Sequence, residues 1–287
     1  MADRIIFKNT TQEANIESIQ VTDVLNGEIL LVRETNKEHL YCKNSNGEIS
    51  KIHRITNAGG FPSLTTSSYE AVDLGLPSGL LWAKKNIGAA TEEDAGLYFQ
   101  WGDIQGYTAE QVGVDKQFTW DNYKWNEGSS VTKYTNDDGL TILESIDDAA
   151  TQIIGFNWRM PTADEIREMV DNTDVYFVSS TGEEIADTYT GSTSGRVEFP
   201  EAEAMKGMKF YNKSDRSKYI FVPTSGFVDD KSIVSNKSQG RLWSSSVRTA
   251  RVDEAHNFVF TSSSGMGDMF YNVRYYGFPI RAVKPQQ

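Results

Sequence analysis

The chain has 287 residues and a formal net charge of −12, with 38% hydrophobic and 11% aromatic residues. This length allows one large domain or two smaller ones, and the composition predicts a packed core and excludes a disordered chain. The single cysteine, Cys42, excludes an intramolecular disulfide and any zinc site built from several thiolates.

Charge is distributed unevenly along the chain. Residues 61–205 contain 8 basic and 26 acidic side chains, whereas residues 206–287 contain 13 basic and 6 acidic ones. The basic C-terminal third either receives an anionic ligand or packs against the acidic middle of the same chain, and the sequence leaves both open. Its basic residues are dispersed and form no recognised motif, which argues against nucleic-acid binding.

The first 56 residues predict a small all-β module. Apolar or alternating segments at 29–32 and 49–55 follow Asn-Gly pairs at 26–27 and 46–47, and this pattern is typical of hairpins. A module of about fifty residues buries little apolar surface by itself, so we expect it to need partner chains.

The sequence predicts neither membrane insertion nor export. It contains no run of about eighteen apolar residues, and the N-terminus lacks the long apolar segment of a secretory signal. Because the chain has a single cysteine, we expect it to be made in a reducing compartment or to have no need of oxidation.

Residues 57–68 (NAGGFPSLTTSS) predict a linker, and residues 69–287 predict a second domain. Two helices are expected there. Ser145 is placed to cap the first, which would end at Gly155, and Thr162 is placed to cap the second, with Glu165 completing a capping box. Because short strands, loops and glycines fill the rest, we predict an α+β fold with much irregular structure.

The second domain carries a series of landmarks in a fixed order. They are residues 72–83 (VDLGLPSGLLWA), 98–102 (YFQWG), 147–150 (DDAA), 158–162 (WRMPT), 243–246 (WSSS) and 274–283 (RYYGFPIRAV). Together they resemble a module of gut bacteria and phages with the C-type lectin fold, in the subtype shared with formylglycine-generating enzymes. The resemblance covers about residues 69–283, and it implies small twisted sheets and long loops held by buried aromatic side chains.

The end of the chain places an irregular interior between two borders. Residues 247–273 mix charged, aromatic and methionine side chains without the period of a strand or helix, between RLWSSS at 241–246 and RYYGFPIR at 274–281. This arrangement resembles the variable region of proteins diversified by diversity-generating retroelements, where altered side chains form a solvent-facing patch. By position, the resemblance assigns ligand binding to Arg248, Thr249, Arg251, Asp253, Glu254, His256, Met266, Asp268, Met269, Phe270, Tyr271, Tyr275, Tyr276 and Phe278.

Residues 27–32 (GEILLV), 40–44 (LYCKN) and 47–49 (GEI) resemble the N-terminal module of phage tail-fibre and tropism-determinant proteins. That resemblance implies a trimer that is attached to the virion after assembly in the bacterial cytoplasm. Both resemblances together imply a phage or prophage receptor-binding protein that recognises a protein or glycan on the host surface. A cellular adhesion module of fixed specificity with the same fold is the alternative.

Enzymatic functions have weaker support. The oxidases among formylglycine-generating enzymes use C-terminal cysteines, and none follows Cys42. A triad of a serine from 244–246 with Asp253 and His256 would require a geometry that composition cannot show. Residues 136–139 (NDDG) begin like a calcium loop but lack its final glutamate, so they predict a polar turn. We expect no catalytic residue, no metal and no cofactor.

Overall fold

The computed structural model describes nine stretches of the chain, and it divides the chain into two units, Met1–Ser67 and Ser68–Gln287. The described residues are 29–34, 37–43, 49–54, 69–128, 130–155, 157–186, 205–235, 237–261 and 267–286. The predicted linker at 57–68, the Asn-Gly pairs at 26–27 and 46–47, and the candidate residue Met266 lie outside them.

The described part of the first unit is one antiparallel sheet. It consists of β1 (Ile29–Glu34), β2 (Lys37–Lys43) and β3 (Ile49–Arg54), in the order β1-β2-β3. The register pairs Leu31 with Leu40 in the first hairpin and Leu40 with His53 in the second. The apolar segments recognised in the sequence therefore lie in β1 and β3.

The described residues are mainly β. Strands account for 40% of them and helices for 10%, and every pairing between named strands is antiparallel. The predicted α+β, C-type lectin-like fold is therefore wrong, because segments expected to be loops or separate short strands pair into several small antiparallel sheets. No described helix is long and apolar enough to cross a membrane.

The described part of the second unit contains five small sheets. Its strands are β4 (Ala71–Asp73), β5 (Leu81–Ala83), β6 (Asn126–Glu127), β7 (Ser130–Val131), β8 (Thr173–Val178), β9 (Glu184–Ala186), β10 (Gly207–Asn212), β11 (Asp215–Pro223), β12 (Phe227–Asp229), β13 (Ser232–Val234), β14 (Gln239–Val247), β15 (Glu254–Thr261), β16 (Gly267–Val273) and β17 (Val283–Lys284). The orders within the sheets are β17-β5-β4, β6-β7, β11-β10-β8-β9, β12-β13 and β14-β15-β16.

Helix α1 (Ala149–Ile154) is where the sequence predicts one, but its cap is different. The Asp148 carboxylate accepts the Thr151 N–H at 3.0 Å, so Asp148 and not Ser145 is the N-cap. The second oxygen of the same carboxylate accepts the Met160 N–H at 2.8 Å. Aspartate and serine cap helices equally well. The long-range contact with Met160 therefore explains why Asp148, and not Ser145, is the N-cap. Gly155 ends the helix, as predicted.

Helix α2 (Ala163–Asn172) confirms the predicted capping box. The Thr162 hydroxyl accepts the Glu165 N–H at 3.2 Å, and the Glu165 carboxylate accepts the Thr162 N–H at 2.8 Å. Arg159 donates to both Glu165 oxygens, at 2.7 and 2.6 Å, so the carboxylate is fixed from two sides. Ile166 and Met169 are fully buried and attach the helix to the core.

Two aromatic-rich cores lie on opposite faces of the sheet β14-β15-β16. One contains Trp243 together with Trp101 and Phe278, and the other contains Leu242 together with Phe258. Consecutive residues such as Leu242 and Trp243 enter different cores because neighbours on a strand point to opposite faces. Strands β14 and β15 are thus buried on both faces, which fixes the position of the turn between them and of the edge strand β16.

Candidate functional site

Trp243 and Phe278, one aromatic residue from each border, are buried and contact each other. Trp243 and Phe278 are both 0% exposed, and their stacked rings have centroids 4.0 Å apart. The Trp243 indole N–H donates to the Phe99 carbonyl oxygen at 2.9 Å. Phe278, a candidate ligand-binding residue, therefore lies inside the core.

The border serines bond to backbone. The Ser244 hydroxyl donates to the His256 carbonyl oxygen at 2.8 Å, and the Ser245 hydroxyl donates to the Pro161 carbonyl oxygen at 3.2 Å. The Ser246 hydroxyl accepts the N–H of Ala163, the first residue of α2, at 3.1 Å. Among the described residues, no hydrogen bond joins these hydroxyls to the His256 imidazole, so the triad geometry is not formed.

Two border arginines are fully buried and hold distant loops through carbonyl oxygens. Arg274 donates to the carbonyl oxygens of Lys133 at 2.9 Å and Tyr134 at 2.6 Å. Arg281 donates over 2.7 to 3.1 Å to the carbonyl oxygens of Ala83, Lys84 and Phe221 and to the Asn86 side chain. Burial lowers the pKa of Arg281 to about 9, so the guanidinium remains protonated at neutral pH.

The turn between β14 and β15 carries exposed charges on a hydrogen-bonded backbone. The Arg248 N–H donates to the Glu254 carbonyl oxygen at 3.1 Å, and the Glu254 N–H donates to the Arg251 carbonyl oxygen at 2.9 Å. The Arg251 side chain, 56% exposed, pairs with Asp253 at 2.8 Å and with Glu254 at 3.1 Å. The turn therefore presents its side chains from a defined backbone.

The edge strand β16 places two aromatic rings beside this turn. Phe270 is 49% exposed and Tyr271 37% exposed, and their rings stack with centroids 4.9 Å apart. The Arg248 guanidinium lies 3.3 Å from the centre of the Tyr271 ring and also bonds to Glu254. We call Arg248, Arg251, Asp253, Phe270 and Tyr271 the display surface.

Two candidates lie behind the display surface. Glu254 is 8% exposed, accepts a hydrogen bond from Arg248 and forms an ion pair with Arg251 at 3.1 Å. His256 is half-buried and opposite Tyr271 in the sheet. Burial, together with the positive charges of Arg167 and Arg248, lowers the pKa of His256. The imidazole is therefore neutral at physiological pH.

The remaining candidates divide between surface and packing positions. Thr249 and Asp268 are exposed, and the Asp268 carboxylate accepts the Met269 N–H at 2.6 Å. Met269 packs partly buried against the core that contains Phe258. The Tyr276 ring lies 5.3 Å from the ring of Phe227, at the other core. Met269 and Tyr276 therefore face the interior more than the solvent.

A cleft of about 820 Å³ opens beside the display surface. Residues that line it include Trp120, Ser130, Asn136, Asp137, Asp253 and Tyr275. The rings of Trp120 and Tyr275 have centroids 5.6 Å apart. Burial raises the pKa of Tyr275 to about 12, so its hydroxyl stays protonated at neutral pH. This volume is typical of a small-ligand site.

Sequence reasoning missed Trp120 and Asp137, because they lie far from the C-terminal segment in the chain. The available signal was the concentration of aromatic residues at 120–125 in a polar stretch. Residues 136–139 do form a polar turn, where the Asp138 carboxylate accepts the N–H groups of Thr135 and Leu140. That turn brings Asp137 to the cleft.

No family model matches the chain, and no curated protein or solved structure matches it either. Function is therefore inferred from the geometry of the site. That geometry combines a buried border, an exposed display surface and an adjoining cleft.

Proposed function

We propose that the protein is a receptor-binding protein of a phage or prophage tail, whose display surface recognises a protein or glycan on the host surface. The observation that carries this proposal is the change from complete burial to wide exposure within one stretch of chain. Trp243 at the border is 0% exposed, whereas Arg251 in the adjoining turn is 56% exposed. Exposed aromatic and arginine side chains are the types enriched where proteins bind each other.

The contacts of the display surface are suited to diversification. Tyr271 contacts Arg248 and Phe270, and Arg251 contacts the turn that carries it. A change at one of these positions therefore disturbs its immediate neighbours and leaves the core contacts of Trp243 unchanged. We propose accordingly that residues 247–273 are the variable region of a protein diversified by a retroelement.

In this proposal, the first unit is responsible for oligomerisation and for attachment to the virion. It forms trimers that attach the protein to the virion after assembly in the bacterial cytoplasm, and it brings several display surfaces to one cell. Multiple copies raise the strength of binding when a single site is weak. Recognition requires no catalytic residue, cofactor or metal.

A cellular adhesion module of fixed specificity is the second candidate. The mutual packing of Arg248, Tyr271 and Phe270 favours it, because a surface selected for one ligand benefits from such pre-organisation. The nucleotide sequence downstream of the gene separates the two candidates. A near-copy of the segment that encodes residues 243–283, differing mainly at adenines and next to a reverse-transcriptase gene, supports diversification. Absence of both supports fixed specificity.

The binding role is tested with labelled protein on a panel of bacterial strains. Against a strain that binds the unaltered protein, Arg251→Ala and Tyr271→Ala should each weaken binding by about tenfold or more, as interface arginines and tyrosines commonly do. Arg216→Ala is the matched control, because Arg216 is a 48% exposed arginine on β11 that pairs with Glu184. Equal losses from Arg216→Ala and Arg251→Ala would contradict the assignment of binding to the display surface.

A further inference from the structure

We propose that the cleft beside the display surface binds a cationic group, an alkylammonium or guanidinium, such as a lysine or arginine side chain of the target protein. This inference rests on the proposed function, since Asp253 belongs to both the cleft and the display surface. The inference specifies the chemical class of the ligand, and three features of the cleft support it.

The first feature is an aromatic wall that does not serve the core. Trp120 belongs to a short 3-10 turn (Trp120–Asn122) in which no residue is buried. Its ring stacks on the buried ring of Tyr123 at 5.4 Å and lies 5.6 Å from the ring of Tyr275. Faces of tryptophan and tyrosine attract cations, and tryptophan attracts them most strongly.

The second feature is that one buried amide holds both rings in position. The Gln100 side chain, 2% exposed, donates to the Tyr275 carbonyl oxygen at 3.1 Å. The same nitrogen lies 3.4 Å from the Thr119 carbonyl oxygen and 3.3 Å from the Asn122 side-chain oxygen, on either side of Trp120. Loops that are distant in sequence are therefore fixed relative to each other before any ligand binds, which lowers the entropy lost on binding.

The third feature is the sign of the charge. Asp137 and Asp253 line the cleft, and no lysine or arginine is among its described lining residues. Arg251 neutralises Asp253 in part at 2.8 Å, whereas no ion pair joins Asp137 to a cation in the described stretches. Residues 61–205, which include Asp137, contain 26 acidic and 8 basic side chains. The field at the cleft therefore favours a cation.

The test is a titration of the full chain with tetramethylammonium, at constant ionic strength, followed by the NMR signal of the Trp120 indole N–H. The variant Trp120→Phe identifies that signal. tert-Butanol, a neutral molecule of similar shape, is the matched ligand. Tetramethylammonium should shift the signal with saturation, and tert-butanol should not.

Two charge variants complete the test. Asp137→Asn should raise the half-saturating concentration about threefold to fivefold, as expected for one charge pair near the surface. Asp121→Asn, an exposed neighbour of Trp120 outside the lining of the cleft, should leave it unchanged. An equal response to tert-butanol, a response to methyl glycosides in place of the cation, or equal effects of both variants would overturn the inference. Each of those results leaves the strain-binding test of Arg251 and Tyr271 unaffected, whereas failure of that test alone would contradict the proposed function.

Discussion

The border and the display surface of the C-terminal segment differ in the distance along the chain that their contacts span. The Trp243 indole bonds to the carbonyl of Phe99, which is 144 positions away. The Arg251 guanidinium bonds to Asp253, which is 2 positions away. Long-range contacts hold the fold together, whereas the local ion pair only orders one turn.

This difference separates stability from recognition within a single sheet. Buried aromatic rings and buried arginines make contacts that unfolding destroys, so their loss lowers the free energy of unfolding. Exposed ion pairs contribute little, because solvent screens them and ordering long side chains opposes them. We therefore expect changes at the border to affect folding and changes at the display surface to affect binding.

The largest effect is expected for Trp243→Ala. The side chain is fully buried, stacks on Phe278 and donates a hydrogen bond, so its removal leaves a cavity and takes one of two donors from the Phe99 carbonyl oxygen, which also accepts the Phe278 N–H. The free energy of unfolding should fall by about 3–5 kcal/mol, measured by denaturant titration. A loss below about 1 kcal/mol would contradict the role of Trp243 in the border.

Arg281→Met should have the next largest effect. The substitution leaves three carbonyl oxygens and the Asn86 side chain without their donor, although it also removes a buried charge. We expect a loss of about 2–4 kcal/mol in denaturant titration. Arg281→Lys is the control for charge. It should be nearly as unstable, since an ammonium cannot reproduce the planar fork, and near-native stability of this variant would show that charge alone suffices.

Gly277→Ala tests how closely the border packs. A Cβ atom at Gly277 would lie 2.6 Å from a ring carbon of Phe118, which is fully buried and cannot move freely. We expect a loss of about 1–3 kcal/mol, as for other overpacked cores, with the thermal midpoint as the measurement. An unchanged midpoint would indicate that the contact between these two loops is loose.

Local signals in the sequence predicted local structure well. The capping box of Thr162 and Glu165 is formed, and Gly155 ends α1 as expected. Each of these features depends on residues that lie within a few positions of each other in the chain.

Features that depend on distant partners could not be predicted in this way. Asp148 replaces Ser145 as the N-cap because of its bond to Met160. The α+β class was wrong because pairing such as that of β8 with β10 joins segments separated by a long stretch of chain. Trp120 and Asp137 meet Tyr275 only through the fold, so the aromatic residues at 120–125 did not by themselves locate the cleft.

Tyr271→Ala should change stability by less than about 1 kcal/mol, in contrast with Trp243→Ala. Its ring contacts Phe270 and the Arg248 guanidinium at the surface of an edge strand, so water replaces those contacts without a buried cavity. Thermal midpoints of the two variants, measured side by side, check the contrast. Similar decreases of the thermal midpoint in both variants would contradict the distinction between the border and the display surface.

The smallest effect concerns pH and His256, which lies between the two regions. The Ser244 hydroxyl bonds to its carbonyl, and its imidazole is opposite Tyr271. Burial, with the charges of Arg167 and Arg248, lowers its pKa in the folded state below the ordinary histidine value of about 6.5. As pH falls through that value, the unfolded chain binds the proton first, so stability decreases towards the folded-state pKa.

His256→Gln removes this proton linkage while keeping a polar side chain of similar size. The fall in the thermal midpoint between about pH 7.5 and about pH 5.5 should therefore be smaller in the variant than in the unaltered protein. His39 and His53 are present in both proteins, so their contributions cancel in the difference. An identical fall in both proteins would mean that His256 titrates in the folded state as it does in the unfolded chain, which would place its imidazole with the solvent-exposed display surface and not behind it.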